Sequence, residues 1–163
     1  MLSATHLHAM IVHFPIALIF AGFLSEIIAL FTKKEFFRQA AFYLLLLGTA
    51  GAVAAYLSGE NAGEGIEEGP LEGPMDLHED AALITMWLSV GLAAFRVAIQ
   101  YFKLNHGWTK LVSIVAFAAL IGSVSYTGYL GGQLVYSHGA GVQLVMPGVN
   151  AGDGGGGEAE ADE

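Results

Sequence analysis

Four long apolar stretches separated by short polar breaks set the pattern of the chain. They run over about residues 9–31, 39–57, 81–102 and 111–130, and the last can be extended to Tyr136. Crossing the hydrocarbon core of a bilayer takes roughly 20 residues of helix, and each stretch is near that length. Breaks follow at Lys33-Lys34-Glu35, at Ser58-Gly59-Glu60, over Lys103 to Gly107, and in the Gly-rich end of the chain. Backbone polar groups cannot stay unpaired in lipid, so each span predicts a helix, and the short alternating segments of a β-barrel are absent. The expected fold is an all-α, integral membrane four-helix bundle over residues 1–147. An acidic Gly-rich tail over residues 148–163 is expected to be disordered. Asp76-x-x-Glu79 has the form of a capping box, which places the start of the third helix near Leu77. No basic stretch precedes the first span and no small-residue cleavage site follows it, so it reads as a span and not as a secretion signal.

Composition agrees with this pattern. The 163 residues are 55% hydrophobic and only 13% charged, about half the charge content of a soluble domain. Cysteine is absent, which excludes disulfides, thiolate metal sites, iron–sulfur clusters and covalently attached c-type haem. Position then gives the charge its meaning. All six cations, Lys33, Lys34, Arg38, Arg96, Lys103 and Lys110, fall in or beside the two short connections. The positive-inside rule therefore predicts cytoplasmic connections, extracytoplasmic termini and a multi-pass protein of the inner (cytoplasmic) membrane. Thirteen of the fifteen acids lie on the opposite side, eight between Glu60 and Asp80 and five between Asp153 and Glu163. Such a chain is not a nucleic-acid binder, because tracking phosphates needs clustered cations on an accessible face.

Two residues inside the spans stand out. Glu26 is ionisable in an apolar stretch, and Arg96 of the third span is its expected partner. Pro15 falls within the first helix and leaves the Ile11 carbonyl without its usual donor, which predicts a kink or an irregular turn beside His13. Five of the six histidines belong to the outer half: His6, His8, His13, His78 and His138. His106 reads as a solvated residue of a connection. His8 and His13 differ by about 7.5 Å of rise and roughly 140° of rotation, so they cannot easily bind one ion together and each needs a partner from another segment. His78 and His138 are available at the same membrane level. Paired imidazoles from different helices are a usual way to hold a b-type haem in a bundle. Gly22, Gly48, Gly51, Gly91, Gly122 and Gly128 could make room for such a ring. Small residues four apart, as in Gly48-Ala52 and Gly128-Gly132, equally mark close helix packing.

His8-Ala9-Met10-Ile11-Val12-His13-Phe14-Pro15-Ile16-Ala17-Leu18 resembles the opening HPxxVHFPIAL motif of the DUF2231 family. Gly128-Tyr129-Leu130-Gly131-Gly132-Gln133-Leu134-Val135-Tyr136-Ser137-His138-Gly139-Ala140-Gly141-Val142 is similar to its closing GxLGGxLVYxHGxGV signature. Leu77-His78-Glu79 stands where the family has its middle histidine. Ala9 departs from the family pattern, which has proline there. The resemblance implies a small four-helix membrane protein, and it matches His8, His13, His78 and His138 residue by residue. It also implies redox work, because such members occur beside or fused to cytochrome-type modules.

The expected function is that of a b-type cytochrome-like electron-transfer protein, with one or two bis-histidine haem b groups near the extracytoplasmic face. The expected pairs are His13 with His78 and His8 with His138. Expected partners are the lipid bilayer and a basic extracytoplasmic cytochrome, or a quinol near the outer leaflet. Neutral imidazoles also suit Cu or Zn, with Asp76, Glu79 and Asp80 as further ligands. A structural subunit whose histidines only hydrogen-bond between helices is the third alternative. No nucleophile motif or phosphate-binding loop supports a stand-alone enzyme.

Overall fold

The computed structural model describes residues 3–63, 71–104 and 106–140. Four helices account for nearly all of them: α1 (Ala4–Thr32), α2 (Glu35–Gly63), α3 (Glu72–Tyr101) and α4 (Gly107–Tyr136). Each is long and apolar enough to cross a membrane. The acidic tail over residues 148–163 and the part of the outer loop at residues 64–70 lie outside the described residues.

The helices are longer than the apolar stretches that announce them. At 1.5 Å per residue, 29 or 30 residues span about 44 Å, against about 30 Å of hydrocarbon. Their ends therefore stand in the headgroup layers. Ser3 caps α1, its side chain accepting the His6 amide at 3.2 Å. The break expected at Ser58-Gly59-Glu60 is instead helical, since α2 continues to Gly63. The start expected near Leu77 is also corrected. α3 begins at Glu72, and its cap, Leu71, makes no side-chain hydrogen bond. Pro74 explains the difference: in a helix's first turn the missing N–H is one that would have no intrahelical partner anyway. The Asp76 capping box thus lies inside the helix, and His78 sits in the second turn.

Most of the apolar surface faces outward. Of the most apolar 18 residues in each helix, 17% in α1 and 22% in each of the others are buried, which is the expected state of a bundle whose solvent is lipid. A small core joins Ile19, Leu45, Leu92, Phe117, Leu120 and Val124 from all four helices. Phe23 packs edge-on against Phe117 with ring centres 5.5 Å apart.

The two hairpins, α1–α2 and α3–α4, are built to one plan. Pro15, Ile19, Gly22 and Glu26 are buried on α1, and Thr85, Ser89, Leu92 and Arg96 stand inward on α3, each 70 positions later. Ala41, Leu45, Gly48 and Ala52 of α2 correspond in the same way to Ser113, Phe117, Leu120 and Val124 of α4, each 72 positions later. Lys33 and Lys103, again 70 apart, both take left-handed backbone, with φ of 55° and 54°. Since α1 and α3 run the same way, this is a parallel repeat.

Packing is closest within the first hairpin. A Cβ on Gly48 would come within 2.7 Å of Ile19 Cγ1 and 3.3 Å of the Ile19 amide, and one on Gly51 would meet the Pro15 ring at 3.2 Å. The α1 helix runs through Pro15 without interruption. Gly22, Gly48 and Gly51 are thus occupied by helix packing, whereas Gly91, Gly122, Gly128 and Gly132 have nothing within 4 Å. Hydroxyls link the helices elsewhere: Thr85 pairs with Ser123 at 2.6 Å and Thr127 at 2.9 Å, and Thr49 donates to the Ser89 carbonyl at 3.3 Å.

Across the bundle diagonal, Arg96 Nη2 donates to Glu26 Oε2 at 2.7 Å, with both side chains nearly sealed from the exterior. The guanidinium also stands 5.9 Å over the Phe117 ring. A charge left alone in such a place costs several kcal/mol, but an apolar pair of similar volume does not. Glu26→Gln or Arg96→Met alone should therefore destabilise the bundle by about 3–5 kcal/mol, and the double variant Glu26→Met/Arg96→Met by much less, as read by chemical unfolding in detergent. In the same assay Gly48→Ala should lower stability by about 1–3 kcal/mol through overpacking, while Gly91→Ala should be neutral or mildly stabilising.

Candidate functional site

The candidate site lies at the end of the bundle opposite the short connections, where α1 and α3 begin. His8 precedes Glu26 by 18 residues, and His78 precedes Arg96 by the same 18. Eighteen residues make five helical turns, about 27 Å of rise, with a return to the same face. Because Glu26 and Arg96 meet across the diagonal, helix periodicity puts the two histidines at one height and on the corresponding faces of α1 and α3 at the far end. They lie close enough for the charge on one ring to act on the other.

Each imidazole rests on a glycine of the next helix. A Cβ on Gly59 of α2 would fall 3.0 Å from His8 Cε1, and one on Gly131 of α4 would fall 3.0 Å from His78 Cε1. A larger residue at either place would displace the ring. Ser58 Oγ lies within hydrogen-bond distance of both the Ala55 carbonyl, at 2.9 Å, and His8 Nδ1, at 3.0 Å, and the Ala55 carbonyl also acts on the His8 ring. Donation by Ser58 to Ala55 suits a His8 that carries its proton on Nδ1, and in that tautomer Nε2 is the unprotonated nitrogen. This is the arrangement of a ligating histidine whose other nitrogen is held by a backbone or hydroxyl group. His78 is half-buried, with the Thr127 carbonyl beside its ring. Its Nδ1 is shielded from solvent and has no hydrogen-bond partner.

His13 and His138 are placed differently. Both are exposed, and both commit Nδ1–H to a backbone carbonyl, His13 to Ala9 at 2.6 Å and His138 to Gln133 at 3.1 Å. His13 lies about 7.5 Å deeper along α1 than His8, whereas His138 lies about 10 Å beyond the Gly131 level on the outer side. The expected pairs, His13 with His78 and His8 with His138, are therefore not the ones that the fold brings level; it brings His8 to His78. His6 is exposed and bonded to Ser3 at 2.7 Å, and His106 is exposed at the start of α4.

A comparison with protein-family models matches residues 4–144 to the model described as "Predicted membrane protein (DUF2231)". The chain belongs to the DUF2231 family. Searches of the curated proteins and of the solved structures give no match. For this DUF2231 protein the family description agrees with the four membrane-length helices. The match covers all four histidines and the Glu26–Arg96 pair.

Three acidic groups, Glu60, Glu79 and Asp80, stand on the same flank. The Tyr56 hydroxyl donates to the Glu60 carboxylate, and Glu79 and Asp80 stand near enough to act on it. Among the described residues no three His, Asp or Glu side chains are grouped to hold a metal ion. The signals for Ser58, Gly59 and Gly131 were present in the sequence only as small residues in apolar surroundings, with nothing to tie them to a particular histidine.

Removal of the Ser58 hydroxyl should release the His8 tautomer. In Ser58→Ala, imidazole nitrogen NMR should show His8 shifting from Nδ1–H toward a mixture of tautomers, with His13 unchanged. An unaltered His8 signal would contradict the assigned hydrogen bond.

Proposed function

We propose that this protein is a membrane electron-transfer protein that holds one b-type haem between His8 and His78. The observation that carries this reading is the levelled pair itself: two imidazoles from non-adjacent helices at one height, near enough for the charge on one to act on the other, with Ser58 beside Nδ1 of His8. The donor set suits such a group, which when bound supplies a one-electron couple. Ligation by both imidazoles would leave no open coordination position, so electron transfer is favoured over oxygen chemistry. Ser58 orients the His8 ring, and Gly59 and Gly131 leave the rings room to lie flat. Gly128 and Gly132, beside open space on α4, are where the edge of a planar group would meet least resistance. A three- or four-ligand zinc or copper centre is less favoured, because the described residues group no third ligand with the pair.

The Lys/Arg asymmetry supports cytoplasmic short connections and a histidine pair near the outer leaflet of the cytoplasmic membrane. An electron would then be exchanged with an extracytoplasmic carrier or with a quinol at that leaflet. Glu60, Glu79 and Asp80 favour a basic carrier, such as a small cytochrome, and give the encounter rate a dependence on ionic strength.

A structural alternative is favoured by the His8–Ser58 hydrogen bond, which by itself ties α1 to α2. Pyridine haemochrome analysis and a reduced-minus-oxidised spectrum of the purified protein separate the two readings. About one haem per chain is expected, lost in His8→Ala and in His78→Ala and retained in His106→Ala. Elemental analysis of the same samples covers zinc and copper. A folded wild-type protein carrying no haem, even after reconstitution with haemin, would overturn the haem reading, and one carrying no zinc or copper either would leave only the structural role.

A further inference from the structure

The opposite end of the bundle holds a cavity of about 750 Å³ between the inner ends of the helices and the short connections. Its lining includes five of the six cations of the chain, Lys33, Lys34, Arg38, Arg96 and Lys110, against the carboxylates of Glu26 and Glu35. Arg96 is paired with Glu26 and Arg38 with Glu35, so the three lysines are left as excess positive charge. All three are exposed. Two deeper groups lack partners: Arg96 Nη1 and Ser113 Oγ are shielded from solvent and make no hydrogen bond, and both residues line the cavity. Buried donors of this kind are rarely left empty, because each unmet one costs about as much as a lost hydrogen bond.

We propose that this cavity binds a phosphate-bearing anion, with Lys33, Lys34 and Lys110 supplying charge at its rim and Arg96 Nη1 and Ser113 Oγ donating from within. Its volume lies in the range of small-ligand sites, ample for a phosphate with its attached alcohol. Depth agrees with this chemistry. Arg96 is about 14 Å along α3 from the helix midpoint, at the edge of the hydrocarbon, and Lys33 and Lys34 stand about 22 Å from that of α1, in the headgroup layer. Basic pockets between membrane helices at this level recognise anionic headgroups. The phosphate can belong to an anionic lipid or to a free phosphorylated compound, and the measurement distinguishes them.

The full-length protein is to be reconstituted in nanodiscs of phosphatidylcholine containing a minor fraction of phosphatidylglycerol, with retained lipid counted by native mass spectrometry. Inorganic phosphate binding to delipidated protein is measured in parallel by equilibrium dialysis. Retention of phosphatidylglycerol over phosphatidylcholine supports the site with a lipid headgroup as its source. Phosphate binding without lipid preference supports it with a free phosphate compound as the source. In either case Lys33→Gln/Lys34→Gln/Lys110→Gln should weaken binding about tenfold or more, and Ser113→Ala a few-fold, as expected for loss of charge-assisted and neutral hydrogen bonds. Circular dichroism checks that the variants keep their helices. If the triple-lysine variant does not fold, Ser113→Ala alone decides. Absence of both kinds of binding in the wild type, or binding unchanged in the folded variants, overturns the proposal.

Discussion

The structure depends on a single diagonal contact, the ion pair between Glu26 and Arg96. A carboxylate and a guanidinium placed among apolar side chains each need the other, because desolvation of either alone exceeds what packing returns. The observed arrangement of the two hairpins satisfies both: α1 lies opposite α3, with Phe117 beneath the guanidinium. The pair therefore sets the relative height and rotation of the two helices. Five turns away on each, the same register brings His8 level with His78. A slip of one helix by a single residue would turn its side chains by roughly 100° and separate both pairs at once.

Close packing and polar links share the rest of the work unevenly. Within the first hairpin the backbones approach at Gly48 and Gly51, where Ile19 and Pro15 fill the space that a side chain would need. Between α3 and α4 the hydroxyls of Thr85, Ser123 and Thr127 bond directly, which suits an apolar solvent that offers them no other partner. The parallel repeat of the two hairpins gives the bundle two unlike ends. One carries imidazoles held by glycine and serine; the other carries cations around a cavity. A protein organised in this way presents different chemistry to the two faces of a membrane while using one helical plan twice.

Much of this was legible along the chain. The apolar runs marked four spans, and the positions of Lys and Arg grouped the short connections on one side. Glu26 and Arg96 were recognisable partners because each was the isolated charge of its span. The helix ends were less legible. Ser58-Gly59-Glu60 resembles a break, yet in the structure Ser58 and Gly59 face His8 and the helix continues past them. Asp76 has the form of a cap, but Pro74 is tolerated in a first turn, so the helix starts earlier. The relative height and exposure of the histidines were not legible along the chain: rotation along α1 leaves His13 exposed, and rise puts it below the level of His78. The eighteen-residue interval shared by His8–Glu26 and His78–Arg96 was present in the sequence. It acquires meaning only when both helices are known to run unbroken through all five turns.

By itself the sequence determined the class of solvent, the number of spans, the segregation of charge and the residues with ligand chemistry, since these follow from composition and from periodicity along one chain. Tertiary structure decided which histidines stand at one height, which glycines are filled by a neighbouring helix and which border open space, and that cations in and beside two separate connections line one cavity. Those outcomes depend on the rotation and height of one helix relative to another. Such quantities are set by a few contacts between residues some seventy positions apart, Glu26 with Arg96 foremost, and no local pattern contains them.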